Sequence, residues 1–229
     1  MIANTLIWSG LTVAIYAVCR ALYLRWPVFW TNPILLGWLT LMVLLIATRT
    51  PFQTYRDGTA PLILLLGPSV VAFAVPIYDQ REMILRQWRV LLVAVACGST
   101  ISVLLSWELA RALMLSPEMR ASLLPRSISA PFAMIVATQL GGVPGLAATF
   151  TAITGLLGSG IAPPLSKALG VTSKFARGAM LGMGAHGIGT ARAFQWGPEE
   201  GAAAATTMTL AGVANVLVAV IWSVIVRKS

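Results

Sequence analysis

Six stretches of this 229-residue chain lack Asp, Glu, Lys and Arg, and each is near or above the length of a membrane-crossing helix. They are residues 1–19, 26–48, 58–78, 90–107, 127–166 and 201–226. About 18–20 apolar residues in a helix cross the roughly 30 Å hydrocarbon core of a bilayer. The composition agrees, because 58% of the residues are hydrophobic and 10% are charged, against about 45–50% and about 25% in soluble domains. A water-soluble domain is therefore excluded.

The apolar runs are typical of helices rather than of strands. A strand of a membrane barrel alternates apolar and polar residues with a period of two, and these runs do not alternate. We therefore predict an all-α, polytopic helical membrane protein that forms one domain over residues 1–229. The run 127–166 is long enough for two passes. The expected architecture has about six full transmembrane helices plus one or two broken or re-entrant segments.

The net charge of +9 would suggest nucleic-acid binding in a soluble protein. Here, basic residues lie just outside the apolar runs, as is typical of the flanks of membrane helices. These flanking residues include Arg20, Arg25, Arg81, Arg86 and Arg89. We therefore predict that these positive charges interact with the lipid bilayer and that the protein binds no nucleic acid.

Capping and turn-forming residues divide the runs into elements. The regular helices are expected at about residues 4–25, 33–48, 88–113, 144–161 and 200–226. Asn32-Pro33 opens the second of these helices. Pro163-Pro164 is expected to end the helix that begins at Pro144, because proline removes an intrahelical hydrogen bond.

Three segments are too irregular for one smooth helix. The run 58–78 has Gly67-Pro68 near its middle, residues 117–141 contain three prolines, and residues 178–191 contain five glycines. Irregular backbone at membrane depth is tolerated where it is buried in protein or lines an aqueous cavity, so we expect these segments to face each other. A short similarity between residues 69–74 and 127–133 leaves an internal repeat open, and paired broken helices are typical of transporter sites.

The glycine-rich segment contains His186, the only histidine of the chain. An ionisable side chain in a membrane segment is costly, which makes it a candidate functional residue. The surrounding candidates are Gly184, Gly187, Gly189, Thr190 and Arg192, which together offer backbone N–H groups, a hydroxyl and a guanidinium to an anion. Two alternatives stay open: the glycines bring helices into close contact, and Arg192 marks the membrane interface.

A helix start is predicted within residues 126–131. Ser127 and Ser129 suit the N-cap, and Pro131 suits the first helical turn. A helix start at membrane depth presents N–H donors and a partial positive charge, which favour binding of a carboxylate or phosphate. The alternative interpretation of residues 126–131 is a plain loop at the membrane surface. Glu199 and Glu200 open the last helix, where we expect them to stabilise the helix dipole rather than to couple protons.

Enzymatic chemistry has little support in the residues. No Asp or Glu lies deep in an apolar run, and one histidine excludes a multi-histidine metal site. Ser159 lies between two glycines but without the G-x-S-x-G pattern of a nucleophile elbow. Cys19 and Cys97 have no metal-type spacing. We predict that the protein is not an enzyme and uses no metal or other cofactor.

Four blocks in a common order carry a resemblance to the LrgB/CidB family. The specific block is Gly184-Ala185-His186-Gly187-Ile188-Gly189-Thr190-Ala191-Arg192 followed by Glu200-Gly201-Ala202. The others are Asn32-Pro33-Ile34-Leu35, Gly67-Pro68 through Pro76-Ile77-Tyr78, and Arg126-Ser127-Ile128 through Pro131-Phe132-Ala133. The resemblance therefore covers nearly the whole chain. The chain departs from it at Ala130, where the family often has a threonine.

The resemblance implies a multi-pass protein of the bacterial inner membrane that acts with a small LrgA/CidA-like membrane protein. One account of the family describes carriers of small carboxylates such as pyruvate or glycolate. The other describes antiholin-like regulators of murein hydrolase export and autolysis. Broken helices with anion donors favour the carrier, whereas a lesion former needs only simple packed helices.

The carrier hypothesis predicts a monocarboxylate site near the middle of the bilayer. The predicted substrate-binding residues are Pro68, Ser69, Ser127, Ser129, Pro131, Gly184, His186, Gly187, Gly189, Thr190 and Arg192. The N–H groups after Pro68 and around Ser127 to Pro131 are expected to hold the carboxylate. His186 is expected to contact a 2-hydroxyl or 2-oxo group or to carry a coupled proton. A homo-oligomer is compatible with this hypothesis.

Overall fold

The computed structural model describes residues 2–26, 28–72 and 74–226, and these residues form helices and turns with no strand. The α-helices are α1 (Ile2–Arg25), α2 (Pro33–Ala47), α3 (Phe52–Gly58), α4 (Ala60–Leu64), α5 (Leu66–Ala72), α6 (Ala74–Asp79), α7 (Arg81–Arg86), α8 (Trp88–Ala112), α9 (Pro117–Leu123), α10 (Ala130–Gln139), α11 (Pro144–Ala168), α12 (Lys174–Trp196) and α13 (Pro198–Val226). A 3-10 helix, Phe29–Thr31, lies between α1 and α2. The predicted all-α class is confirmed.

Four helical segments in the described part of the chain are long and apolar enough to cross a membrane. They are Asn4–Arg25, Trp88–Ala112, Pro144–Ala168 and Pro198–Ile221. The helices α2 and α10 are apolar but have only 15 and 10 residues. At 1.5 Å per residue they rise about 22 and about 15 Å, which is less than the hydrocarbon thickness. The expected count of six full spans is therefore not confirmed, and neither is the internal repeat.

The run 58–78 contributes no full span because it is divided into short helices. A turn at Leu65 separates α4 from α5. Pro61 and Pro68 lie in these two helices, and each proline lacks the N–H group that an uninterrupted helix would use. This run is therefore interrupted near its middle, as its sequence predicts.

Most predicted helix boundaries agree with the structure, and one is wrong. Asn32 caps α2, since its Oδ1 accepts a hydrogen bond from Ile34 N at 3.0 Å. In contrast, α11 continues through Pro163 and Pro164 instead of ending there. Prolines are tolerated in membrane helices where hydroxyls and neighbouring helices satisfy the freed backbone groups.

The chain divides into two compact units, Met1–Ala72 and Phe73–Ser229. In the first unit, α1 packs against α2 and α3. Gly58 leaves room for the Trp8 ring, because an added Cβ would lie 2.8 Å from Trp8 Cδ1. Tyr55 meets the same ring edge to face, with the ring centroids 5.6 Å apart.

Three long helices, α8, α11 and α13, frame the second unit. Leu91 and Ala203, near the starts of α8 and α13, contribute to one apolar cluster. Further along both helices, Asn215 Nδ2 donates to Ser99 Oγ at 3.0 Å. The helices α8 and α13 are therefore parallel. Because Ala162, near the end of α11, clusters with residues near the start of α13, α11 is antiparallel to both.

Candidate functional site

The helix α12 is broken at His186, which has φ 37° and ψ −125°. This is the left-handed side of the backbone map, which a residue with a side chain rarely adopts. The break divides α12 into a first arm, residues 174–185, and a second arm, residues 187–196. The predicted irregular segment is therefore helical in both arms, and its irregularity is concentrated at the histidine.

The two arms fold back on each other to form a hairpin. In a straight helix, Arg177 and Trp196 would be about 28 Å apart. Instead, the Arg177 guanidinium lies 5.6 Å from the centroid of the Trp196 ring. A Cβ at Gly189 would overlap the Leu181 carbonyl oxygen, so this glycine permits the arms to touch. His186 therefore lies at the tip of the hairpin, which we call the second hairpin (residues 174–196).

A first hairpin is formed by residues 117–142, which include α9, a turn-rich segment and α10. Its base is closed where the Ser122 Oγ accepts a hydrogen bond from Val143 N at 2.8 Å. Gly142 packs on the same serine, since an added Cβ would lie 2.7 Å from Ser122 N. The chain runs inward from Ser122 and returns through α10. Ser127 and Ser129 precede α10 and therefore lie at the tip.

Residues next to the two tips pack on one face of α13, near its middle. Phe132, in the first turn of α10, occupies the space that a side chain at Gly212 would fill. Thr190, in the first turn of the second arm, lies with its Oγ1 3.7 Å from Met208 Sδ. Met208 and Gly212 are four residues apart and therefore share one face of α13. The structure thus brings together two of the irregular segments that were expected to face each other.

The first tip has the helix start that the sequence predicts. Ser129 is the N-cap residue of α10, and Pro131 lies within the first turn. However, the Ser129 side chain makes no capping hydrogen bond. It is 7% exposed, and its Oγ has no hydrogen-bond partner among the described residues. Ser127 is also buried. A hydroxyl and the start of a helix are therefore available to a ligand at this tip.

The second tip contains the buried His186 ring. His186 is 3% exposed. Its Nε2 has no hydrogen-bond partner in the described part of the chain. The ring lies against Gly155, where an added Cβ would be 2.5 Å from His186 Cε1 and 3.0 Å from Nε2. Gly155 is therefore required by the position of the imidazole.

The other predicted residues of the glycine-rich block have different positions. The Gly184 carbonyl oxygen would lie 2.6 Å from a Cβ at Gly158, so Gly184 lies where α11 and α12 cross closely. Gly187 has open space around its Cα. The Thr190 hydroxyl donates to the His186 carbonyl at 2.8 Å. The packing role that the sequence left open thus applies to Gly184 and to Gly189.

Arg192 and Arg126 each bond a side chain outside the two tips. Arg192 is half-buried on the second arm, and its Nη1 donates to Gln195 Oε1 at 2.9 Å. Arg126 Nε donates to Ser106 Oγ on α8 at 2.9 Å, which attaches the first hairpin to that span. The Arg192 bond therefore stays within the second arm, whereas the Arg126 bond joins the first hairpin to α8.

Pro68 and Ser69 belong to α5 in the first unit, whereas the other predicted site residues belong to the second. Pro68 is exposed. The side chain of Ser69 lies outside the described residues. The two hairpin tips are therefore described without these residues.

An ion pair at the base of the second hairpin was not predicted. Arg177 Nη2 lies 2.6 Å from Glu200 Oε1, and the Glu200 side chain is 3% exposed. Glu200 is in the first turn of α13, where the sequence predicted only a favourable interaction with the helix dipole. A Cβ at Gly178 would lie 2.9 Å from the Glu200 carbonyl carbon, so the first arm and α13 are in backbone contact here. A close approach of this kind depends on the fold and has no local sequence signal.

Thr151 is the second site residue that sequence reasoning missed. It is 1% exposed, and its Oγ1 has no hydrogen-bond partner among the described residues. The sequence carries no signal for this residue, because threonine is common in membrane helices and the contact of Gly155 with the His186 ring is known only from the fold. In the described ranges, no group of three or more His, Cys, Asp or Glu side chains could hold a metal ion.

Four helices in the described residues that are long and apolar enough to cross a membrane, together with two helical hairpins, define a polytopic helical membrane protein with polar groups between its helices. The chain belongs to the LrgB-like family, whose sequence profile matches residues 12–224. The relatives include the uncharacterized protein YwbG of Bacillus subtilis, 34% identical over 89% of this chain and 90% of the relative. An uncharacterized protein of Haemophilus influenzae is 33% identical over 93% of this chain and 92% of its own length. YxaC of Bacillus subtilis is 32% identical over 89% of this chain and 88% of that protein. No solved structure matches.

Proposed function

We propose that this protein is a membrane carrier, or a carrier subunit, for small monocarboxylates such as pyruvate or glycolate. One observation carries the proposal: Ser129 Oγ and His186 Nε2, at the tips of the two hairpins, are buried and lack hydrogen-bond partners in the described part of the chain. A buried polar group without a partner costs about 1–3 kcal/mol. A polar ligand that binds between the tips offsets this cost.

The first tip is suited to the carboxylate. The start of α10 carries N–H groups without intrahelical acceptors and about half a positive charge. Ser129 adds its hydroxyl, whereas Ala130 and Pro131 contribute no side-chain donor. The second tip supplies the imidazole of His186 and the free N–H groups at the start of the second arm. Together the tips provide the half-helix ends that carriers use at the middle of the bilayer.

The hairpins also suggest how a bound acid reaches either side of the membrane. The base of the first hairpin lies beside the start of α11, and the base of the second follows the end of α11. The hairpins therefore approach the site from opposite ends of the same span. In this proposal each hairpin covers the site from one side, and the two move in turn. This is the alternating access that a carrier requires.

The proposal places the protein in the bacterial inner membrane. Its partner is a small LrgA/CidA-like membrane protein, and a homo-oligomer is compatible with the proposal. Transport moves the acid without breaking bonds, so the proposal includes no catalytic residue and no cofactor. These assignments follow from the family resemblance and not from contacts in the fold.

Uptake by purified protein in proteoliposomes tests the proposal. Labelled pyruvate and glycolate are supplied with and without the LrgA-like partner, across an imposed pH gradient. We expect saturable uptake by the wild type. Ser129→Ala and His186→Ala are expected to lower uptake at least tenfold while insertion into the membrane is unchanged. Unchanged uptake in His186→Ala would remove the histidine from the mechanism.

Ser122→Ala is the matched control for Ser129→Ala. Ser122 accepts from Val143 N and donates to the Glu118 carbonyl, both at 2.8 Å. Its loss should therefore lower stability by about 1–3 kcal/mol, whereas uptake per folded molecule should stay unchanged. Ser129→Ala breaks no hydrogen bond, so it should leave stability unchanged and lower uptake per folded molecule.

The outcome without transport is equally informative. If folded protein takes up neither acid, with or without the partner, the carrier proposal is wrong. The antiholin-like role then becomes the better account, and variants should alter autolysis in cells. Uptake only with the partner would make this chain one subunit of a two-component carrier.

A further inference from the structure

Thr151 differs from the other buried threonines of the described residues. Those four each donate their hydroxyl to the carbonyl four residues earlier in their own segment; they are Thr59, Thr190, Thr206 and Thr207. Thr151 is 1% exposed, yet its Oγ1 has no partner in the described part of the chain. The usual helical acceptor therefore does not account for this hydroxyl.

Its position relates Thr151 to the tip of the second hairpin. The His186 ring lies against Gly155, which is one helical turn after Thr151 on α11. Residues four apart share a helix face, so the Thr151 side chain is on the face that the ring contacts. Two buried polar atoms without partners, Thr151 Oγ1 and His186 Nε2, therefore occur at one helix crossing.

We infer that Thr151 is a specificity-determining residue that, together with His186, binds an oxygen of the carried acid outside its carboxylate. The inference rests on the proposed function, which places the carboxylate at the Ser129 tip. A hydroxyl both donates and accepts a hydrogen bond, and Nε2 of a neutral imidazole donates or accepts according to the tautomer. The pair therefore accommodates either a carbonyl or a hydroxyl oxygen. An acid without this oxygen leaves both groups unpaired, and sites built to bond a polar group reject such analogues strongly.

The test compares two acids that differ only in this oxygen. Uptake of labelled pyruvate and propionate is measured in proteoliposomes that contain the wild type or Thr151→Val. The wild type should prefer pyruvate, in kcat/KM, by tenfold or more. Valine keeps the shape and removes the hydroxyl, so Thr151→Val should lower pyruvate uptake roughly tenfold and leave propionate uptake unchanged. Thr151→Ser keeps the hydroxyl and should restore most of the preference.

Thr207→Val is the matched control. Thr207 is fully buried, but its hydroxyl donates to the Ala203 carbonyl at 2.8 Å. This variant should leave the ratio of the two acids unchanged. The inference would be overturned if Thr151→Val had the same ratio of pyruvate to propionate uptake as the wild type. It would also be overturned if the variant lost uptake of both acids to the same extent.

The two proposals fail in different ways. If the wild type takes up neither acid, the carrier function fails and the role of Thr151 fails with it. If uptake is saturable and Ser129→Ala suppresses it, but the Thr151 variants do not alter the ratio, the carrier function stands. In that case only the assignment of Thr151 is wrong.

Discussion

The ion pair between Arg177 and Glu200 permits a sharp test of how the second hairpin is held. The pair joins the first arm of this hairpin to the first turn of α13 at 2.6 Å. The neighbouring pair, Lys174 with Glu199, joins the same two helices at 3.7 Å. The Glu200 side chain is 3% exposed, whereas the Glu199 side chain is 38% exposed. The two glutamates are adjacent in sequence and differ mainly in burial.

Burial determines the expected cost of removing each carboxylate. Loss of one partner from a buried pair costs about 3–5 kcal/mol. The Arg177 side chain is 34% exposed and keeps part of its hydration, so we expect about 2–3 kcal/mol for Glu200→Gln. An exposed pair contributes about 0.2–1 kcal/mol. The long Lys174–Glu199 distance places Glu199→Gln at about 0.2–0.5 kcal/mol.

Thermal unfolding in detergent measures the difference. For a chain of this size, 1 kcal/mol corresponds to roughly 2–4 °C in Tm. Glu200→Gln should therefore lower Tm by roughly 4–12 °C, and Glu199→Gln by no more than about 2 °C. Joint replacement of Arg177 and Glu200 by methionine should recover most of the loss, because no unpaired charge remains. Equal shifts for the two single variants would refute the reasoning from burial.

Two further variants test the hairpin contacts. Gly155→Ala would place a Cβ 2.5 Å from His186 Cε1 and should displace the imidazole ring. We expect this overpacking to lower the free energy of unfolding by about 1–3 kcal/mol and to lower uptake at least tenfold. Gly145→Ala is the control, because Gly145 lies on the same helix with open space around it; this variant should change neither stability nor uptake. Equal uptake by the two variants would contradict the placement of the ring. Ser106→Ala removes the acceptor of Arg126 Nε and should lower stability by about 1.5–3 kcal/mol, measured as Tm. A Tm like the wild type would show that this bond does not anchor the first hairpin.

Local sequence signals were sufficient to predict where a helix begins when that start depends on a few adjacent residues. Asn32 caps α2 through its side chain as predicted, because a cap depends on a few adjacent residues. Ser129 occupies the predicted N-cap position of α10, but its side chain makes no capping hydrogen bond. The prediction failed at Pro163-Pro164. There α11 continues through both prolines, because the packing of a long helix can outweigh the local rule that proline ends a helix.

The candidate site was predictable in part. His186 was identified because an ionisable group in an apolar segment is unusual whatever the fold. Ser129 was identified because a serine shortly before a proline suits the start of a helix. Thr151 gave no such signal, since threonine is common in membrane helices and usually bonds its own helix. Its missing partner is visible only when α11 and α12 are packed together.

The sequence by itself determined that the chain is an all-helical membrane protein, because long uncharged runs leave no other way to satisfy the backbone in lipid. It also determined which segments are irregular, through their prolines and glycines. Only the tertiary structure decided what these segments form. The folding back of α12 at His186, the packing of residues next to the two tips against Met208 and Gly212 and the burial of Glu200 depend on contacts between distant residues. Such contacts follow from packing of whole helices, which no local sequence pattern specifies.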